Sequence, residues 1–344
     1  MEKANNLTFF RKLFGPPWRT IVPGVLFLVL VPVSYLLWSP GAEILDGRHD
    51  KKTNGVWLQH GWLGDDAWFQ RTQRDVKAFR DETKVVDLGN LLRKYHIQYI
   101  YPHLCPSKSD GTIASVDEEQ TRRFLRIMND FKVIPWIGGV YGESVSLNSP
   151  EWRSQFVSSS VGLLQKYPEF AGVHLNIEPL PSGNMDYVSL LQEMKKSLPA
   201  GKILSIAAYP PPCWLHDFPE VHWDEAYYKD ICLYADQVVP MMYDTAIQWE
   251  KVYQHVISQW TQEALKWTNG KEVLLGIPGY EDAGVDYHNP QVENIKNSLF
   301  GIHAGLLEFK WMPVNYSGVA IYSEWEMSEQ KWNMFEKMFL CEKD

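Results

Sequence analysis

The stretch Gly172-Val173-His174-Leu175-Asn176-Ile177-Glu178 decides how this chain is read. Its period-2 alternation is that of a β-strand, with His174, Asn176 and Glu178 on one face and Val173, Leu175 and Ile177 on the other. A strand face turned into a protein is normally apolar, because burying an unpartnered polar group costs roughly 2–7 kcal/mol. A polar row that ends in a carboxyl group implies a use for it. The row reads as part of an enzyme site.

Working outward, short apolar runs recur eight times: Gly55–His60, Ile97–Leu104, Lys132–Gly139, Gly172–Glu178, Lys202–Tyr209, Gln237–Tyr243, Glu272–Tyr280 and Gly318–Trp325. Between them, helical spacing predicts helices near 66–94, 117–131, 150–167, 184–198, 224–234, 248–269 and 289–308, with a last one over 328–340. Ser115-Val116-Asp117-Glu118 and Ser149-Pro150-Glu151-Trp152 supply N-terminal caps. Eightfold strand–helix alternation predicts an α/β fold, a (β/α)8 TIM barrel. A doubly wound open sheet is the competing arrangement. It would place a glycine-rich phosphate turn after its first strand, and His60-Gly61-Trp62-Leu63-Gly64 is not one.

A TIM barrel carries its chemistry at the C-terminal ends of its strands. Here those ends are His60, His103, Gly138-Gly139, Glu178, Tyr209, Tyr243-Asp244, Tyr280-Glu281 and Glu324-Trp325, whereas strand starts such as Val133-Ile134 and Val273-Leu274 are apolar. Eight independent strands thus direct polar, aromatic or glycine residues to one rim.

Composition narrows the classes. The chain has 344 residues, 45% hydrophobic and 14% aromatic, enough for one large domain with an aromatic surplus that suits a sugar ligand. The net charge of −9 argues against a nucleic-acid partner. Cys105, Cys213, Cys232 and Cys341 form no C-x-x-C pair and read as buried free thiols. His60, His103 and His174 show no H-x-H or H-E-x-x-H spacing, so neither a metal nor a cofactor is expected.

At the N-terminus, Ile21–Trp38 is an uncharged run of 18 residues behind Lys3, Arg11, Lys12 and Arg19. The expected organisation is a short basic cytoplasmic segment (1–20), a transmembrane signal anchor (21–38), a linker (39–54) and a catalytic domain (55–344). That domain would be extracytoplasmic, with the membrane as a partner through residues 21–38. A cleaved signal peptide is the alternative, but Ser39-Pro40-Gly41-Ala42 is a poor cleavage site.

Glu178 is the candidate general acid, since glycoside cleavage requires protonation of the leaving oxygen. Asn176 stands where a second carboxylate might sit, and it suits a hydrogen-bonding role toward a 2-acetamido group acting as internal nucleophile. It also reads as a satisfied buried amide.

Val238-Val239-Pro240-Met241-Met242-Tyr243-Asp244 resembles the Met-x-Tyr-Asp strand of family 18 glycoside hydrolases, the chitinase group. Gly138-Gly139 is similar to that family's glycine pair on strand three, and Gly318–Tyr322 resembles its last strand, with Tyr322 at the usual Trp. Phe170–Glu178 resembles the signature Asp-Gly-x-Asp-x-Asp-x-Glu, with Ala171, His174 and Asn176 in place of its three aspartates. The pair Asn176-x-Glu178 is similar to the Asn-x-Glu of family 85 endo-β-N-acetylglucosaminidases. The resemblance implies Glu178 as acid/base, Asn176 as orienter of the acetamido nitrogen, Tyr243 as donor to its carbonyl, and Asp244 as a sugar-binding or tuning group. It also implies a sugar platform at Tyr322 and Trp325. Trp136 is a further candidate platform.

His60, His103, Gly138, Gly139, His174, Tyr209 and Glu324 complete the candidate substrate-binding set. The expected function is a membrane-anchored retaining hydrolase of 2-acetamido glycans. Two alternatives stand beside it: a two-carboxylate glycosidase using Glu178 with Glu281, and a non-catalytic chitinase-like sugar-binding protein.

Overall fold

The structure, a computed structural model, describes residues 18–268, 270–282 and 284–340. Most of the expected basic segment 1–20, and Cys341, lie outside the described residues. The chain divides into two units, residues 1–40 and 41–344.

In the first unit the apolar run forms the helix Trp18–Leu37, 20 residues long with Pro23 and Pro32 inside it. This corrects the expected transmembrane anchor. Among the described residues no helix is long and apolar enough to cross a membrane. Pro23 and Pro32 have no N–H to give to the helical ladder. Nothing in the structure supports the membrane interaction expected through residues 21–38.

The second unit is built on nine parallel strands. They are β1 (Asn54–Leu58), β2 (Ile97–Pro102), β3 (Lys132–Val133), β4 (Trp136–Val140), β5 (Gly172–Glu178), β6 (Ile203–Ala208), β7 (Gln237–Pro240), β8 (Glu272–Pro278) and β9 (Tyr316–Tyr322). Their order is β3-β2-β1-β9-β8-β7-β6-β5-β4, a curled TIM-like sheet. The ninth strand arises because the third expected run is split. Pro135 has no N–H to continue a ladder, so Lys132–Gly139 becomes β3 and β4. Backbone bonds still run on both sides of the break. Ile134 N donates to Ile100 O (2.9 Å), and Ala171 N and His174 N donate to Val133 O (2.8 Å) and Pro135 O (2.9 Å).

Helices follow the strands, and several start where the sequence supplies a cap. The Asp117 carboxylate accepts from Gln120 N at the start of Glu118–Ile127, and the Ser149 hydroxyl accepts from Trp152 N at the start of Pro150–Lys166. The expected helix over 66–94 is instead three pieces, Asp66–Thr72, Lys77–Arg80 and Glu82–Lys94. Gln73 is left-handed (φ 55°) and ends the first, while the Asp81 side chain caps the third.

Period-2 alternation in β5 sorts its side chains as expected. Val173 and Leu175 are 0% exposed and Ile177 is 4% exposed, all in the large apolar core. Burying each is worth about 1.5–3 kcal/mol. The opposite face enters a hydrogen-bonded chain through the sheet interior. Trp57 Nε1 donates to His174 Nε2 (3.1 Å), which leaves His174 Nδ1–H to donate to Ser205 Oγ (2.7 Å). Ser205 and Tyr101 hydroxyls both donate to Gln237 Oε1 (2.7 and 2.8 Å), and Gln237 Nε2 donates to Glu272 Oε2 (3.0 Å). Tyr99 and Ser317 donate to Glu272 Oε1 (2.6 and 3.0 Å), with Lys132 Nζ donating to the Tyr99 hydroxyl (2.9 Å). Every polar group in this chain has a partner, the condition under which a buried polar layer adds to stability.

Residues 41–54 pack on the sheet unit. Ala42 N donates to Phe300 O (3.0 Å), Tyr316 OH donates to His49 O (3.0 Å), and His49 Nδ1 lies 2.7 Å from His303 Nδ1.

Candidate active site

Where the strands end, a cavity of about 410 Å³ opens. Asn176 and Glu178 reach it from the end of β5, Tyr209 from just after β6, Tyr243 and Asp244 from just after β7, and Tyr322 from the end of β9. Trp57 and Trp136 line its inner wall. The chain has therefore brought one side chain or more from six strands to a common space.

Glu178 is half-buried, and Asn176 Nδ2 donates to its Oε2 across 3.1 Å. Burial pushes the Glu178 carboxyl above the usual range. The Asn176 bond and a contact from Tyr209 oppose that rise, and the negative charge of Asp244 adds to it. The result is a carboxyl that holds its proton to higher pH than an exposed glutamate, as a general acid requires. Asn176 Oδ1 is buried and has no hydrogen-bond partner in the protein. That orphaned acceptor, on a side chain lining the cavity, is available to a ligand N–H.

Asp244 adopts a left-handed backbone (φ 59°), a conformation Asp tolerates better than most residues, and Tyr280 OH donates to its Oδ1. Tyr243 stacks on Tyr322 (ring centroids 5.6 Å apart, planes 17° apart). Burial drives the Tyr243 hydroxyl well above its ordinary pKa, so it stays a neutral donor. Tyr322 also meets Trp57, Trp136, Tyr280 and Trp325 edge-on, with centroids 5.3–6.0 Å apart. These contacts hold the aromatic floor rigid.

The remaining expected site residues lie outside the cavity lining. His174 sits one layer deeper, 0% exposed in the chain from Trp57 to Lys132, and burial lowers its pKa to about 3. His60 is paired with Asp65 and stacked on Trp68, and His103 packs between His60 and Trp136 (centroids 3.8 Å from each). The three histidines are not gathered to hold one ion. Gly138 and Gly139 shape the strand beside the site. Gly138 has φ +130°, and a Cβ there would lie 2.0 Å from Asn176 O. Glu324 follows β9 in a short 3-10 turn, with burial raising its carboxyl to about 7. Trp325 meets Tyr322 edge-on (centroids 5.7 Å apart) but does not line the cavity.

Sequence reading missed Trp57, His216, His222, Met241, Trp260 and Tyr287, which also line the cavity. Trp57 lies inside β1, whereas His60, the residue expected from that run, falls beyond the strand's end. His216 and His222 lie in the long loop after β6, where no periodicity marks a residue as facing the site. Their rings meet at 2.7 Å (His216 Nδ1 to His222 Nε2).

A family model described as glycosyl hydrolases family 18 matches residues 75–336. The chain belongs to this family. Solved structures with the same fold include the spore cortex-lytic enzyme SleL of Bacillus cereus (15% identity, TM-score 0.54, covering 83% of this chain and 74% of that one). Chitinases of Bacteroides thetaiotaomicron (13%, TM-score 0.51, 84% and 98%) and Chromobacterium violaceum (16%, TM-score 0.51, 82% and 98%) are similar to the same extent. At these identities the likeness establishes the fold. No curated protein matches the chain in sequence. Family membership makes the chain a glycoside hydrolase, with Asn176 and His174 at two aspartate positions of the signature and Ala171 at the third.

Proposed function

We propose that this family 18 hydrolase cleaves glycans containing 2-acetamido sugars with retention of anomeric configuration, the substrate's acetamido oxygen serving as nucleophile. The observation that carries this reading is the pair Asn176 and Glu178, a proton-holding carboxyl and an orphaned amide oxygen set two residues apart on one strand face. Asn176 Oδ1 accepts the acetamido N–H and turns the carbonyl oxygen toward the anomeric carbon. The Tyr243 hydroxyl donates to that oxygen. Glu178 gives its proton to the departing glycosidic oxygen as the C1–O bond breaks and the acetamido oxygen bonds C1. In the second step Glu178 takes a proton from water, and the water oxygen attacks C1, reopening the ring with net retention. Tyr322 supports the sugar at the reacting position.

The two-carboxylate alternative finds no support in Glu281. Its carboxylate lies 3.1 Å from Lys331 Nζ, is 64% exposed and does not line the cavity. The test is a thiazoline analogue of a 2-acetamido sugar, which mimics the cyclised intermediate. Strong competitive inhibition of hydrolysis is expected; an enzyme that turns over an acetamido glycan yet ignores the analogue rules this mechanism out.

A further inference from the structure

Beside the cavity, three side chains from two loops converge. Asp244 follows β7, while His288 and Glu293 lie in the stretch between β8 and the helix Ile295–Leu307. One donor atom from each lies within 4.8 Å of the other two. His288 Nδ1 is 3.2 Å from Asp244 Oδ1 and 3.8 Å from Glu293 Oε2. The His288 and Glu293 side chains are both 0% exposed. Neither ring nitrogen of His288 has a hydrogen-bond partner, so a fully buried imidazole is aimed between two carboxylates with its own bonding unmet.

We propose that Asp244, His288 and Glu293 form a binding site for one divalent transition cation of the zinc type. Ligand atoms about 2.0–2.2 Å from a tetrahedral cation stand roughly 3.3–3.6 Å from one another. The two separations from His288 Nδ1 bracket that span, and with all three donor atoms within 4.8 Å of one another, side-chain shifts close the set around one ion. Two carboxylates and a neutral imidazole balance a charge of +2, which removes the cost of a buried, uncompensated Glu293.

Outer contacts already hold the ligands. Thr245 N donates to Glu293 Oε2 (3.0 Å), Asn289 N donates to Glu293 Oε1 (3.3 Å), and Tyr280 OH donates to Asp244 Oδ1 while its ring stacks on His288 (4.3 Å). The exposed side of Asp244 faces the cavity and leaves a coordination position open there. The imidazole favours zinc-type ions over Ca²⁺, which prefers an all-oxygen set.

The test is equilibrium dialysis of the untagged full chain, stripped with chelator, against Zn²⁺ and in parallel against Ca²⁺, with metal content measured by mass spectrometry. One equivalent of Zn²⁺ is expected, together with a rise in Tm on saturation. His288→Ala should weaken Zn²⁺ binding at least about tenfold and abolish the Tm rise. Asp244→Asn, which keeps the Tyr280 contact, should also weaken binding and decides the matter if His288→Ala does not fold. Zn²⁺ binding unchanged in the variants, no bound Zn²⁺, or a preference for Ca²⁺ overturns the proposal.

Discussion

Asn176 Nδ2 donates to Glu178 Oε2 across 3.1 Å, from two residues back along the same strand. The bond favours the ionised carboxylate while burial favours the protonated acid, and burial is the larger influence. The same amide leaves its oxygen free for a ligand. One side chain thus tunes the acid and presents an acceptor to the substrate.

Removing that side chain has two separable effects. Asn176→Leu loses the donor that holds the Glu178 pKa down, so the basic limb of the kcat/KM profile should move to higher pH. It also loses the free acceptor, so inhibition by the thiazoline analogue, which presents an N–H when its ring nitrogen is protonated, should weaken about tenfold or more, in line with about 1.5–3 kcal/mol for a charge-linked hydrogen bond. An inhibition constant that does not move would mean Asn176 does not touch the acetamido group.

Glu178→Gln keeps the shape and removes the proton. Hydrolysis should fall about 10²–10⁴-fold while glycan binding, followed by calorimetry, survives. A wild-type rate in this variant would remove Glu178 from the mechanism.

Gly138→Ala should destabilise the sheet by about 2 kcal/mol or more. The new Cβ meets Asn176 O at 2.0 Å, at a backbone angle (φ +130°) that L side chains rarely adopt. Thermal unfolding measures this directly, and an unchanged Tm would contradict the close approach of β4 to β5.

Buried neutral histidines set an acid limit. Burial lowers His174 to about 3, and His216 and His303 each to about 4, from 6.5. A depressed pKa in the folded state gives stability that is fully present above pH 6.5 and is lost as pH falls toward those values, because only the unfolded chain takes up the protons. Tm should therefore decline steadily from pH 6.5 to about 4, and replacing His174 with Gln should flatten part of that decline.

Gln237→Leu cuts the interior chain at its branch point. The Tyr101 and Ser205 hydroxyls lose their acceptor and Glu272 loses a donor. At about 1–3 kcal/mol per stranded group, the expected loss is about 3 kcal/mol or more, read as a lower midpoint in denaturant unfolding.

Much of this was legible from local pattern. The alternation of residues 172–178 gave β5 its bounds, because side-chain direction in a strand depends only on position parity. Glu178, Tyr209, Tyr243 and Asp244 stood at expected strand ends and Asn176 on the Glu178 face, and they meet in the cavity for the same reason, whereas Tyr322 came from the resemblance to the family's last strand. His60, His103 and His174 show where that logic stops. A strand end fixes position, but neighbouring rings decide where a side chain turns, and Trp68, Trp136 and Trp57 claim these three. Pro135 could have signalled the split third strand, since it lacks a ladder donor. The convergence of His288 and Glu293 on Asp244 is set by two loops folding together and leaves no trace in spacing. Hydropathy alone suggested a spanning helix at 21–38, and its two prolines were the contrary sign.

The break at Pro135 also makes a weak seam. β2 pairs with β3 at two positions, Tyr99 with Lys132 and Ile100 with Val133, as few as join β1 to β9 or β7 to β8, whereas β8 and β9 pair from Val273 to Pro278. Transient opening of the sheet starts where few pairings hold it, so amide exchange at Ile134 and Leu104 should outpace that across β8 and β9. Trp136 stands beside the seam and lines the cavity. A glycan resting on Trp136 would clasp the two sides together, so that occupancy of the cavity slows breathing of the sheet.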